Sequence, residues 1–469
     1  MADPLHNEFP PDSLEARDLK HLLHPATNLV LHHRDGPRIH DHARGIYLWD
    51  SDGRQYLEGM AGLWCTALGY GEEELVRVAA EQMRKLSYSQ LFGSKTNESS
   101  ILLAEKLTGL VPFDMTRVFF GLSGSDANDT QMKLMWYYHN AIGKPAKKKI
   151  IARQRGYHGV TVAAASLTGL PANHRDFDLP IANILHTDCP GYFAFGEPGE
   201  SEERFATRMA ESLEALIQRE GPDTVAAFIA EPIMGAGGVL MPPKTYFEKI
   251  QAVLRRHDIL FIADEVICGF GRTGSMWGSQ TFGLKPDMVT MAKALTSGYI
   301  PLSALMVSEK IWRGLVSQSE KIGVFGHGTT YSAHPVAAAV GVETLKIYEE
   351  RDIVGHVRRV APHMQDALAK LADHPMVGEA GGIGLIGAIQ LVPSKQPRQF
   401  FDPKAMVGPY MAKRAEVHGL ICRSLFGDRV ALCPPLIMEP AQIDEMMRRF
   451  ALALDDTWAM VRDKGLKAA

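Results

Sequence analysis

The sequence predicts an α/β protein with a large central domain and a smaller α+β domain assembled from both chain ends. The first observation is a series of short apolar runs between about residues 115 and 310: MTRVFF, KKIIARQ, TVAAFIAEPI, DILFIADEVI, PDMVTMAKAL and PLSALMVSEK. Runs without polar alternation read as strands buried on both faces, hence a mostly parallel sheet covered by helices on both sides. The second is the helical spacing of the stretches between them, such as ERFATRMAESLEALIQREG and KTYFEKIQAVLRRHD. The third is the different character of the flanks. The expected division is 1–70 and 331–469 for the two parts of the small domain, with 71–330 as the large one.

In chain order, residues 39–60 read as a hairpin turning at Asp52-Gly53. RVFFGLSGSDANDTQMKLMWYYHNAIG reads as strand, tight turn and long helix. Beyond residue 335 come helices, a β-rich patch from 377 to 392, another helix and GLICRSLFGDRVALCPPLI. In that last stretch Arg423, between Gly419 and Gly427, reads as lying on a loop between short strands. No repeat or low-complexity tract appears.

Composition narrows the function. Of 469 residues, 46% are hydrophobic and 22% charged, and the formal net charge is −4. That balance suits a globular enzyme and argues against a nucleic-acid partner. Five scattered cysteines, without CxxC spacing, suggest neither disulfides nor a metal site and fit a reducing compartment. The N-terminus has no apolar h-region, and no apolar stretch is long enough for a membrane helix, so a cytoplasmic enzyme is expected.

Gly269 to Gly274, GFGRTG, is a literal GxGxxG after a strand. A dinucleotide site would need a helix directly after it to receive the pyrophosphate. SMWGSQTFGLKP follows instead, and Asp264-Glu265 would repel a pyrophosphate. Asp264 is the more informative residue, because a carboxylate inside an apolar strand requires a partner. Twenty-nine residues later Lys293 stands among small apolar residues in MAKALTSGYIPLSA. Such a lysine is either an exposed strand-end residue or a desolvated amine suited to Schiff-base chemistry. An acid and an amine on successive strand ends suit pyridoxal phosphate, with the acid on the ring nitrogen and the amine on the aldehyde. Ser123, Gly124 and Ser125 mark a tight turn before a helix, where Ser123 and Asp126 form a capping-box pattern. Free N–H groups and the helix dipole make that turn an anion site. Tyr157-His158-Gly159 ends another strand, and Tyr157 is placed to cover a cofactor ring.

In GMAGLWC, SGSDAND, GYHG, EPIMGAGGV, DEVICGFGRTG, MAKALTSGYIPLSA and HGTTYSAHP the chain resembles the class III (subgroup II) pyridoxal-phosphate aminotransferases, within them the amine/ω-amino acid:pyruvate branch. The resemblance implies fold type I, with a seven-stranded sheet in the large domain. It implies that Lys293 and Asp264 are catalytic, and that Ser123, Gly124, Ser125, Tyr157, His158, Glu231, Val266 and Thr330 join them around the cofactor. Thr330 would reach the phosphate in a neighbouring subunit, so a homodimer with shared sites, or a tetramer containing such dimers, is implied. Trp64, Phe92, Tyr157 and Arg423 would bind substrate, Arg423 as a mobile clamp for a carboxylate. Asp126 stands where relatives carry glutamate, Ile267 where ornithine- and GABA-type members carry glutamine, and Thr329 where relatives carry a larger apolar residue. The expected activity is transfer of an amino group from a primary amine or ω-amino acid to pyruvate or a similar keto acid. The alternative is another fold-type-I enzyme, an aminomutase or amino-acid epimerase.

Overall fold

Alternation along the central strands decides the architecture. The computed structural model describes residue 7 and residues 9–467. Its largest sheet holds β4 (Arg117–Gly121), β5 (Lys149–Arg153), β6 (Ile184–Thr187), β7 (Val225–Ala230), β8 (Leu260–Asp264), β9 (Met288–Met291) and β10 (Ser303–Val307). Their order is β4-β10-β9-β8-β7-β5-β6, with β10 antiparallel to both neighbours and the other pairs parallel. Phe228, Phe261, Val289 and Met306 enter one apolar cluster, while Ala227, Ile262, Met288 and Leu305 enter another. The period of two thus fills both faces, which is why the strands read as unbroken apolar runs.

The flanking segments form two further sheets. β1 (His40–Arg44), β2 (Tyr47–Asp50) and β3 (Gln55–Glu58) pair with β13 (Leu420–Ile421). Leu420 opposes Leu57 and Ile421 opposes Glu58 in parallel register, so strands from opposite ends of the chain share one sheet. Residues 39–60 therefore make a three-stranded meander rather than one hairpin. Gly45, at φ 57°, supplies the turn that the hairpin reading lacked, and Gly53, at φ 78°, supplies the expected one. The third sheet runs β11 (Val377–Ile383), β12 (Ile386–Leu391), β15 (Arg429–Leu432) and β14 (Arg423–Leu425). Arg423 opens β14 opposite Ala431 instead of standing on a loop, because ladder pairing reaches it immediately after Cys422. Among the described residues no helix is long and apolar enough to cross a membrane.

The glycine-rich GFGRTG segment is a joint. No helix follows β8 until the short Gly278–Phe282, whose first backbone N–H groups are capped by Glu265 at 2.9 Å (Gly278) and 2.6 Å (Ser279). Burial pushes the Glu265 carboxyl up to about 7. Gly271 and Gly274, at φ 100° and 85°, bend the loop so that buried Arg272 reaches the β11–β12 turn. Its guanidinium donates to the carbonyls of Leu385 at 2.9 Å and Pro434 at 2.5 Å. Replacing Arg272 by Met strands both carbonyls and is expected to cost about 3 kcal/mol, read from urea unfolding. A loss below about 1 kcal/mol would mean that packing alone docks the loop.

Candidate active site

The ends of β8 and β9 place an acid beside an amine. Asp264 pairs with Thr290 across these strands, and Lys293 stands two residues beyond the end of β9. Ala292 is extended, and Lys293 then turns into the left-handed region at φ 52°, opening a short 3₁₀ turn. Lys293 is half-buried. Desolvation lowers its pKa below the ordinary lysine value, opposed by the nearby Asp264 carboxylate. Glu231 and Arg423 also act on its charge, so all four groups share one electrostatic neighbourhood.

Asp264 is 4% exposed and fully engaged. Its Oδ2 accepts from Asn128 Nδ2 at 2.9 Å and lies 2.8 Å from His158 Nδ1. Its Oδ1 accepts from the Val266 amide at 3.1 Å. Asn128 also donates to the His158 carbonyl at 2.8 Å and accepts from Thr290 Oγ1 at 2.8 Å, and Gln131 donates to that Thr290 hydroxyl at 3.1 Å. The far nitrogen of His158, Nε2, is buried with no hydrogen-bond partner among the described residues. Asn128 was not singled out from the sequence. Its only signal was a polar residue one turn into a helix whose start had been marked as an anion site.

That helix, Gly124–Ala141, begins at the N-cap Ser123, and its capping box with Asp126 is complete. Asp126 accepts from the amides of Leu122 at 2.8 Å and Ser123 at 2.7 Å. A Cβ on Gly124 would stand 3.1 Å from Val266, and one on Gly159, at φ 133°, would collide with Ser125 Oγ at 2.4 Å. These close approaches bring the helix start, the tip of β8 and the GYHG loop together. Ser125 Oγ accepts from the Val160 amide at 3.1 Å, which fixes the loop over the turn.

Glu231 holds the same loop from below, accepting from the amides of Tyr157 at 2.9 Å and Gly235 at 2.8 Å. Burial raises its pKa. Tyr157 is half-buried, and burial pushes its hydroxyl up while the Arg423 guanidinium opposes that shift. Arg423 is half-buried too, and desolvation lowers its pKa. Among the described residues no carboxylate pairs with it. Trp64, 3% exposed, belongs to the apolar cluster of Ile267 and Leu425. Phe92 and Thr330 lie apart from these groups in their contacts. Phe92 is 49% exposed and packs on Gly328, while the Thr330 carbonyl accepts from Tyr88 at 2.9 Å.

These residues fit pyridoxal phosphate: a helix start for an anion, a held carboxylate for a ring nitrogen, and a desolvated amine for an aldehyde. The family model for class III aminotransferases matches residues 31–454. The chain belongs to the class III aminotransferases. Like the family, this aminotransferase uses pyridoxal phosphate, and its fold is that of the fold type I enzymes. An ω-transaminase from Pseudomonas jessenii in complex with PMP is 50% identical, with a TM-score of 0.94 over 96% of this chain and 99% of that one. A second structure, a transaminase with L-Ala, is 51% identical, with a TM-score of 0.89 over 90% of this chain and 100% of that one. Gamma-aminobutyrate transaminase 3 of Solanum lycopersicum, a chloroplastic protein, is 50% identical over 90% of this chain and 81% of its own length.

Asn128→Ala should lower turnover about 10- to 100-fold, the usual range for outer partners of a functional group. The folded holoenzyme should still form. Amino-group transfer and the cofactor absorbance measure both quantities, and unchanged turnover would reduce Asn128 to a packing role.

Proposed function

We propose that this aminotransferase moves an amino group from a primary amine or ω-amino acid to pyruvate, in two half-reactions at one site. The observation that carries the reading is Arg423: a half-buried cation without a carboxylate partner among the described residues, acting electrostatically on both Tyr157 and Lys293. Such a group suits a substrate that brings its own carboxylate. Pyruvate becomes alanine on amination, and a transaminase with L-Ala is among the matched structures. Ile267, apolar and packed in the cluster of Trp64, favours the same branch over members with glutamine there. The GABA transaminase relative supports an ω-amino acid as donor.

Bound pyridoxal phosphate supplies an aldehyde that condenses with amines and a ring that accepts the electron pair left at the substrate carbon. Asp264, oriented by Asn128 and His158, holds a proton on the ring nitrogen. Lys293, its pKa lowered by desolvation, would serve as the base for the proton on the substrate carbon once the cofactor is bound. Gly124 and Ser125 at the helix start, with Ser123, would hold the phosphate, and Tyr157 and Val266 would pack against the ring. Glu231 orients the loop of Tyr157. Trp64 and Phe92 wall the substrate pocket. Thr330, exposed here, serves the phosphate of a second copy, which makes the working unit a homodimer. The domain division at residues 70 and 330 belongs to the same reading.

Lys293→Ala should leave a folded protein that keeps the cofactor without a covalent link and loses transamination by several orders of magnitude. Borohydride reduction and peptide mapping of the wild type should mark Lys293; a label on another lysine overturns the assignment. A strict requirement for a keto acid distinguishes this activity from an aminomutase or epimerase, which turns over with one substrate alone.

Arg423→Ala should impair the half-reactions with pyruvate and alanine about 10- to 100-fold more than the half-reaction with a simple amine, because a charge-assisted pair is lost only with the former. Stopped-flow measurement of both halves reads this ratio. Equal losses would remove Arg423 from the substrate site.

A further inference from the structure

The N-terminal segment carries a cluster that the aminotransferase site does not use. Asp18 lies on the helix Leu14–His21, His24 in the following turn, and His32 on the helix Leu29–Asp35. Asp18 Oδ2 stands 2.9 Å from His24 Nε2 and 3.1 Å from His32 Nε2. All three donor atoms fall within 4.8 Å of one another. The imidazole rings converge, their centroids 4.1 Å apart. The side chains of Asp18 and His32 are only 14% and 8% exposed, so neither is a freely moving surface group.

We propose that Asp18, His24 and His32 bind a divalent transition cation of the zinc class and clasp the two N-terminal helices together. Two imidazole nitrogens and one carboxylate oxygen are the donor set that zinc takes, with water in the remaining position. At zinc–ligand distances of about 2.0–2.2 Å, tetrahedral donors lie roughly 3.3–3.5 Å apart. The two separations from Asp18, 2.9 Å and 3.1 Å, need widen by only a few tenths of an ångström. As hydrogen bonds, both contacts require a proton on Nε2. With a metal, each ring moves its proton to Nδ1 and offers the Nε2 lone pair, without change of charge. His32 and Glu15 line an open cleft of about 590 Å³, which gives water and ions access.

The surroundings explain what such a clasp contributes. Leu19 is the only buried residue of the first helix, and the second has none. Leu22, Leu23 and Val30 are 64%, 82% and 51% exposed. The two helices thus lack a core of their own, and a metal crosslink stabilises a segment in just this circumstance.

The test uses the untagged holoenzyme and zinc chloride alone. Equilibrium dialysis should give one bound zinc per chain, and zinc should slow limited proteolysis within residues 14–35. Asp18→Asn, His24→Gln and His32→Gln should each weaken that binding at least about 100-fold and abolish the protection. Turnover without added metal should stay unchanged in all three. If Asp18→Asn fails to fold, the two histidine variants carry the test. Absence of a stoichiometric zinc in the wild type, or zinc retained equally by the variants, overturns the proposal.

Discussion

A carboxylate at the tip of a fully buried strand is the constraint on which the rest of this molecule depends. Asp264 ends β8, whose residues are all buried, and it is itself only 4% exposed. It is tolerated because two other elements converge on it: Asn128 from the long helix and His158 from the loop after β5. Those two contacts fix the helix start and the loop in the same act. Gly124 can then approach Val266, and Gly159 can approach Ser125, only because neither has a side chain. The positions of the helix start, the GYHG loop and the acid are consequences of one burial problem with one solution.

The neighbouring acid shows how local geometry separates two chemically similar groups. Asp264 and Glu265 are adjacent and both buried, yet the chain alternates, so they face different partners. Glu265 accepts from the amides of Gly278 and Ser279, and burial lifts its carboxyl to about 7. Its work is to start a short helix and thereby steady the loop that Arg272 docks. Asp264 instead meets two side chains, the Asn128 amide and the His158 imidazole, besides the backbone amide of Val266. Glu265 thus holds the loop after β8, and Asp264 holds the helix start and the GYHG loop.

Much of this was legible in the sequence because it rests on local rules. The central strands, the capped helix after Ser123 and the costly pair Asp264 and Lys293 follow from periodicity and the expense of burying charge. The absence of a helix directly after GFGRTG, expected from the sequence, holds in the structure, where the next helix is Gly278–Phe282. What was not legible is set at long range. The pairing of Leu420 with Leu57 joins residues from opposite chain ends, and it is not visible in either segment alone. Arg423 read as a loop residue because its flanking glycines signal flexibility; the ladder with β15 overrides that signal. Asn128 went unnoticed since a polar residue on a helix is unremarkable until the strand it faces is known. The Asp18, His24 and His32 cluster was missed because its spacing follows no metal-binding pattern and only the turn between two short helices closes it.

Lys293 has a backbone consequence apart from its amine. At φ 52° it occupies a conformation that costs an ordinary side chain about 1–2 kcal/mol and glycine almost nothing. A half-buried amine in that place adds a desolvation cost to the conformational one. Glycine there would relieve both native-state costs, against roughly 0.5–1 kcal/mol for its greater freedom in the unfolded chain. On the role proposed for Lys293, stability and activity pull in opposite directions at this one position, so a lineage released from the need for amino-group transfer would be expected to shed the lysine.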